Sequence, residues 1–457
     1  MQRPVWSSQL AYILTVAGAT IGFGATWRFP YMVGQNGGGA YVLTFCIAMI
    51  LIGIPMILVE NAIGRRMHKN SFDCFSGTAN GKPISPLWKI IGITGLIGCF
   101  GIMAYYMVIG GWVLNYIFNS ITGSLSLSHT LSASETKAFW ESSVVHAPLA
   151  VSIATFFFVL ANYIVLTRGV INGIEKAAKI LMPLLFCLMI GMVIRNVTLD
   201  GAMEGIRYYL TPDFSKITLD LFIVVLGQVF FALSLGFGVM ITLSSHLHRN
   251  EQLIKTSVIT GVVNTLIAVV AGFMIFPSLF SFGVDPAAGP SLVFESLPIV
   301  FSKMHGGTIF MVAFFCLLML AAFTTSLPNF QVLIVVLEEK FGMNKKVAVF
   351  LVLSVVFVLG NIPSILGDNA WSDIKILGKS IFDAFDDISA TIFFIFTSLG
   401  CAIFVGWVLK DEAKQEILQG SEKYAGIVNV WFLYVKYIIP IIILVVFVAS
   451  FKEKFLS

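Results

Sequence analysis

Two short stretches hold the residues best able to do chemistry, and both lie inside apolar runs. They are GATIGFGATWRFP at 18–30 and FFALSLGFG at 230–238. The first contains Gly18, Gly22, Gly24, Thr20 and Arg28; the second contains Ser234, Gly236 and Gly238. Neither offers a nucleophile–base pair, a metal cluster or a phosphate loop, and GQNGGGAY at 34–41 follows no strand pattern. What they offer is interrupted helix. Glycine costs roughly 1 kcal/mol against alanine inside a helix. Unpaired backbone in lipid costs several kcal/mol per group, so it is tolerable only where it lines a cavity or finds partners in the protein. Helix ends freed in this way present N–H groups to anions and carbonyls to cations. The chemistry is therefore noncovalent capture of a charged or zwitterionic solute and an ion within the membrane, and the chain reads as no enzyme.

The elements that position these residues follow from composition. The chain has 457 residues, 58% hydrophobic and only 11% charged, with a mean hydropathy of +0.92. Such a chain cannot cover itself with polar surface and reads as an all-α integral membrane protein in contact with the lipid bilayer. A net charge of +4 without basic blocks argues against nucleic acid. The six cysteines are scattered, with no C-x-x-C pair, and suit packing. No cleavage site follows the first apolar run, so that span is expected to be retained. About 20 apolar residues cross the hydrocarbon core. Segments of this kind fall at 9–34, 41–65, 88–121, 147–166, 170–195, 218–245, 256–282, 307–338, 346–366, 382–409 and 427–449, numbered here 1 to 11. Arg65, Arg66, Lys69, Lys82 and Lys89 gather between segments 2 and 3, whereas Asp200, Glu204, Asp213 and Asp220 precede segment 6. The positive-inside rule then predicts a cytoplasmic N-terminus and an outward C-terminus. Lys452 and Lys454 on the tail run mildly against it. Glycine-interrupted spans five segments apart are the expected mark of an inverted-repeat transporter; close helix packing on small residues is the alternative for either one alone.

WRFPYMVGQNGGGAY, IGIPMILVENAIGR, GIEKAAKILMP and FFALSLGFG together resemble the neurotransmitter:sodium symporter family, in the same order from Arg3 to about residue 410. The resemblance implies a LeuT-type 5+5 inverted-repeat fold in the cell membrane, with repeats at 9–195 and 218–409 and an eleventh helix at 427–449. It also implies sodium-driven transport of amino acids or amines. By the same resemblance, substrate lies against Ala19, Thr20, Gly22, Phe23, Gly24, Ile102, Tyr106, Phe231, Ala232, Ser234, Phe237, Thr325 and Asn329. The N–H groups of Phe23 and Gly24, with the Tyr106 hydroxyl, would hold a carboxylate. Gly22 stands where amine-transporting relatives place an aspartate, which favours an amino acid over a monoamine. The apolar lining favours a neutral, hydrophobic or aromatic side chain. Asn329 could hydrogen-bond a polar side chain or simply a neighbouring helix.

The ions follow from the same resemblance. Carbonyls of Gly18, Ile21 and Ala321, with the hydroxyls of Thr324 and Thr325, match the family's second sodium site, and five oxygens suit a hard cation. The first site departs: Ala25 and Ala232 replace side-chain ligands and only Asn264 remains, so one sodium per cycle is expected. The chloride positions map to Phe45, Gln228, Ala232, Asn264 and Ala268, which form no anion cage, and no chloride dependence is expected. Arg28 and Asp386, with Asp387 as competitor, form the outer gate above the aromatic lid of Tyr106 and Phe231. Arg3 and Glu339, with Trp6 as plug, form the inner gate, and His246 there reads as a solvated histidine. Gly173 and Pro183 mark a helix that can unwind, and Glu60 would bond loosened backbone near the segment 6 break. A proton-coupled or sodium-independent relative, or a substrate sensor without transport, remains the alternative.

Overall fold

Among the described residues, ten helices are long and apolar enough to cross a membrane: Gln9–Gln35, Gly39–Met67, Pro86–Thr122, Pro148–Leu166, Val170–Val197, Leu253–Ser281, Gly307–Phe341, Lys345–Leu366, Ile381–Leu409 and Glu422–Phe455. They are segments 1–5 and 7–11, each within a few residues of its expected place. Segment 6 is the shorter apolar helix Leu219–Ala232, continued after a break by Val239–Ser244. The structure is a computed structural model that describes residues 4–125, 127–287, 292–367 and 369–455.

Burial sorts the segments into a centre and a rim. Segment 1 has 83% of its apolar window buried, against 28% for segments 5 and 11, so the interrupted helix lies innermost. Large apolar side chains such as Phe156, Phe157, Ile190, Ile194, Ile441 and Leu444 are exposed instead, as a lipid-facing surface requires. Between segments 2 and 3 the Asn80-Gly81 pair turns a small hairpin of Thr78–Ala79 against Lys82–Pro83, with positive φ at both turn residues, the geometry this dipeptide favours. Arg65, expected as a topogenic loop charge, is fully buried and pairs with Glu416 at 2.5 Å.

Both breaks are visible in the backbone. Gly22 leaves the helix at φ −31°, ψ −153°, and a widened π-type turn follows over Gly24–Arg28. In segment 6, Ser234 has φ +51° and Gly236 and Gly238 have φ near +80°. Glycine adopts such angles at no steric cost, whereas a serine does so only under strain of about 1–3 kcal/mol. A Cβ on Gly236 would lie 2.3 Å from the Phe394 carbonyl oxygen, so segment 10 packs directly on the unwound chain. The Gly236 N–H released by unwinding donates to Glu60 Oε1 at 2.8 Å, across from segment 2. Glu60 thus has the backbone partner expected from its position.

Removing that acceptor strands a buried N–H, at a cost of about 1–3 kcal/mol. Glu60→Ala is accordingly expected to lower the thermal unfolding midpoint of the purified protein, and Glu60→Gln, which keeps an acceptor, to restore most of it. An unchanged midpoint in Glu60→Ala would show that the contact contributes nothing.

Candidate solute and ion site

The two breaks face each other across a cavity lined by Ala19, Thr20, Gly22, Phe23 and Gly24 from segment 1, Ile102, Met103 and Tyr106 from segment 3, Phe231, Ser234 and Phe237 from segment 6, and Thr325 and Asn329 from segment 8. Every substrate position expected from the sequence is there except Ala232, whose side chain is buried behind the lining. Met103 is the addition. It neighbours Ile102 on a helix too uniformly apolar for its inward face to be read from sequence.

At one end, Thr325 Oγ1 accepts from the Gly22 N–H at 2.8 Å and donates to the Gly18 carbonyl at 2.7 Å. The Phe23 N–H reaches the Tyr106 hydroxyl at 3.4 Å. Gly24 differs from expectation: its N–H turns back to the Gly22 carbonyl, because the non-helical ψ of Gly22 folds that carbonyl inwards. The donors at this end of the cavity are therefore Phe23 N–H and Tyr106, next to the N-terminal end of the outer half-helix. Ser234 Oγ donates to the Ala19 carbonyl at 3.3 Å, joining one break to the other. No charged side chain lines this cavity among the described residues.

The lid is closed. The rings of Phe23 and Tyr106 lie 4.9 Å apart, and the Arg28 guanidinium sits 4.4 Å from the Phe231 ring centre. Phe23, Tyr106 and Phe231 also floor an outer chamber of about 130 Å³, so these three aromatics are the partition. The inner cavity is left with about 20 Å³, room for about one water, and a larger solute must displace the partition. Arg28 and Asp386 both line the outer chamber, yet among the described residues no ion pair joins them. Asp386 accepts from the Tyr105 hydroxyl at 2.5 Å. Asp387 is engaged by Lys379 and by Lys454 at 3.4 Å, which removes it as a rival partner for Arg28. It also places the end of segment 11 on the outer-chamber side.

Below the cavity, the two hydroxyls expected for the second sodium site are bonded to backbone carbonyls, Thr324 Oγ1 most closely to that of Leu320 at 2.9 Å. Thr325 Oγ1 is bonded to the Gly18 carbonyl, and Thr324 Oγ1 lies 3.1 Å from the Ala321 carbonyl. A Cβ on Gly18 would stand 3.3 Å from Thr324 Cβ and 3.5 Å from Met182 Sδ. Segments 1 and 8 therefore touch here, backed by segment 5 beside Pro183. Ile21 is buried on the same stretch of segment 1. At the first site Ala25 and Ala232 bring no side-chain oxygen, and the Asn264 amide donates to the carbonyls of Thr20 at 3.1 Å and Ala232 at 3.3 Å.

On the opposite face, Trp6 is buried, donates its indole N–H to the Leu243 carbonyl at 3.0 Å, and meets Tyr12 and His246 edge to face. His246 is 4% exposed rather than solvated, held 2.7 Å from the Pro4 carbonyl. Glu339 accepts from the Asn70 amide at 2.9 Å; Arg3 lies outside the described residues. Gly173 falls in a π-type turn, Val170–Glu175, and Pro183 lies inside the continuous helix Lys176–Val197 that follows. No sequence pattern signals that Glu175 in this turn accepts from Ser7, through the serine N–H at 3.2 Å and hydroxyl, with Lys179 at 2.6 Å. That contact ties the entry to segment 1 onto the segment 5 turn.

Two interrupted helices facing each other over an occluded cavity in a membrane-spanning chain are the architecture of a secondary transporter. The model of the sodium:neurotransmitter symporter family matches residues 3–143 and 128–455, and the chain belongs to that family. It is 60% identical to a sodium-dependent transporter of Haemophilus influenzae over 98% of both chains. It is 34% identical to one from Bacillus subtilis, over 98% of this chain and 97% of that one. The crystal structure of MhsT in complex with L-phenylalanine is similar, with a TM-score of 0.88 and 36% identity, covering 98% of this chain and all of that one. The chain is thus a sodium-dependent multi-pass membrane transporter of LeuT-type fold, not an enzyme.

Gly22 has no room for a side chain: a Cβ there would lie 2.4 Å from the Tyr106 hydroxyl and 2.5 Å from Thr325 Oγ1. Gly22→Ala is expected to displace both and to remove most of the uptake. Radiotracer uptake into proteoliposomes checks this; near-normal uptake would mean that the closed geometry at Gly22 is not used.

Proposed function

We propose that this chain imports a neutral, hydrophobic or aromatic amino acid by sodium symport, alternating access between a cytoplasmic and an outward opening. The carrying observation is the cavity between the two breaks, with amide and hydroxyl donors at one end, apolar rings around it and no charged side chain in its lining. A charged substrate side chain would be buried there without a partner, which is strongly unfavourable. Gly22 offers no carboxylate to balance a lone amine, which supports an amino acid. Two relatives point the same way: L-phenylalanine is bound in the MhsT structure, and a cattle relative, 32% identical over 61% of this chain and 41% of its own, is named a sodium-dependent neutral amino acid transporter. The reading includes five-segment repeats at 9–195 and 218–409, a cytoplasmic N-terminus and an outward C-terminus.

In the proposed cycle one sodium binds at Gly18, Ile21, Ala321, Thr324 and Thr325. The loss of oxygen side chains at Ala25 and Ala232, and the Asn264 amide already bonded to two of the local carbonyls, support a single ion. Chloride has no place in it: Phe45 fills one mapped position and packs on Phe29 at 4.7 Å, and the Gln228 amide donates to the Gly24 carbonyl at 2.7 Å.

Uptake into proteoliposomes is expected under an inward sodium gradient and not under a proton gradient alone; the reverse would favour a proton-coupled carrier. Parallel flux of labelled sodium and substrate is expected to give one ion per substrate, and a ratio of two would overturn the single-site reading. Replacing chloride by gluconate is expected to leave the rate unchanged, and a fall in rate would show an anion requirement.

A further inference from the structure

Segment 8 carries Thr325 and Asn329 one turn apart, about 6 Å along the helix axis. Thr325 holds the Gly22 N–H and so marks the end of the cavity where the backbone of an amino acid would rest. Asn329 lines the same cavity one turn away, about where the far end of a long side chain would fall. It is 2% exposed, and its Nδ2 donates to the Thr325 carbonyl at 2.8 Å. A backbone carbonyl can only accept, so this bond assigns the amide orientation and directs Oδ1 away from the helix. That oxygen is buried with no hydrogen-bond partner.

It stands apart from the other polar groups of the cavity. The hydroxyls of Thr20, Ser234 and Thr325 donate to backbone carbonyls, and the Tyr106 hydroxyl meets the Phe23 N–H. Among the described side chains that line the cavity, only Asn329 keeps a buried polar atom unpartnered. Buried acceptors are almost always satisfied, and leaving one unmade is costly. An aliphatic residue would fill this apolar space without that cost, and here the unpartnered oxygen belongs to a side chain that lines the cavity. The neighbouring Ile102, Met103 and Phe237 have no side-chain donor to give it.

We infer that Asn329 Oδ1 accepts a hydrogen bond from the side chain of the transported solute, making Asn329 a specificity-determining residue. The solute is then a neutral aromatic amino acid whose ring carries an O–H or N–H, tyrosine or tryptophan in preference to phenylalanine. The rings of Phe23, Phe231 and Phe237 around the cavity suit the aromatic body, and Asn329 reads its tip. This rests on the amino-acid transport reading above.

The test uses the full chain in detergent with sodium, and competition by unlabelled amino acids for a labelled aromatic amino acid. A site built to hydrogen-bond a substrate group discriminates strongly against an analogue that lacks it. In the wild-type protein, tyrosine or tryptophan is expected to bind at least about tenfold more tightly than phenylalanine. Against tyrosine, 4-methoxyphenylalanine, which keeps the oxygen but loses the donor, should bind as weakly as phenylalanine. Asn329→Leu should bring the three natural amino acids within about threefold of one another. The analogue series needs no variant, so it decides the matter even if Asn329→Leu does not fold. Sodium-dependent binding of phenylalanine as tight as that of both tyrosine and tryptophan overturns the role of Asn329 alone. Failure of all these amino acids to bind in sodium overturns the transport reading and this inference with it.

Discussion

Everything in this molecule depends on one constraint: backbone polar groups exposed by unwinding inside a membrane must find partners within the protein. The partners are distributed in a telling way. Glu60 on segment 2 takes the Gly236 N–H. Asn264 on segment 7 spans the carbonyls of Thr20 and Ala232. Gln228 on segment 6 reaches the Gly24 carbonyl, and Thr325 on segment 8 takes both Gly22 N–H and Gly18 carbonyl. The breaks are thus the points where segments 1, 2, 6, 7 and 8 are tied together. This explains why the interrupted segment 1 is also the most buried helix.

These ties are of two kinds. Glu60 and Asn264 do not line the cavity and bond the backbone of the breaks from outside it. Thr325 bonds backbone within it, and its hydroxyl belongs both to the cavity wall and to the expected sodium cage. On the proposed reading, a cation at Gly18 and Thr325 draws that hydroxyl's lone pair downwards and alters how Gly22 is held above. One side chain then serves both ligands, and linkage makes the effect reciprocal: whatever sodium does for substrate affinity, substrate does for sodium affinity.

Much of this was legible in the sequence because glycine, proline and isolated charge are conspicuous inside apolar runs. The eleven segments, both breaks and nearly all the cavity lining followed from that pattern and from the family resemblance. What escaped was the pairing of particular atoms across long separations. Gly24 was expected to offer a free N–H, but the local turn at Gly22 consumes it. His246 was expected in solvent, but the chain entering segment 1 covers it. Ser7 with Glu175, and Lys454 with Asp387, are contacts between residues more than 60 positions apart, set by side-chain reach and helix tilt rather than by local pattern. Lys454 is instructive: a positive charge that ran against the topology rule sits on an acidic segment end that can hold it.

The face opposite the outer chamber shows how the same constraint lets the transporter move. Segment 5 touches the expected sodium site through Met182, packed on Gly18 next to Pro183. Pro183 lacks the N–H that a continuous helix would use, and the Val170–Glu175 turn upstream is already wider than an α-helix. A Cβ on Gly173 would lie 2.2 Å from the Val165 carbonyl oxygen, so segment 4 holds this turn closely. Glu175 then fastens the turn to Ser7, the residue after the buried Trp6. Parting segment 5 from Gly18 therefore strains three things together: the Glu175–Ser7 bonds, the seat of Trp6 and the wall of the ion site. In the proposed cycle the ion holds that wall in place by binding oxygens of segments 1 and 8, and its departure to the cytoplasm and the opening of the path become one event.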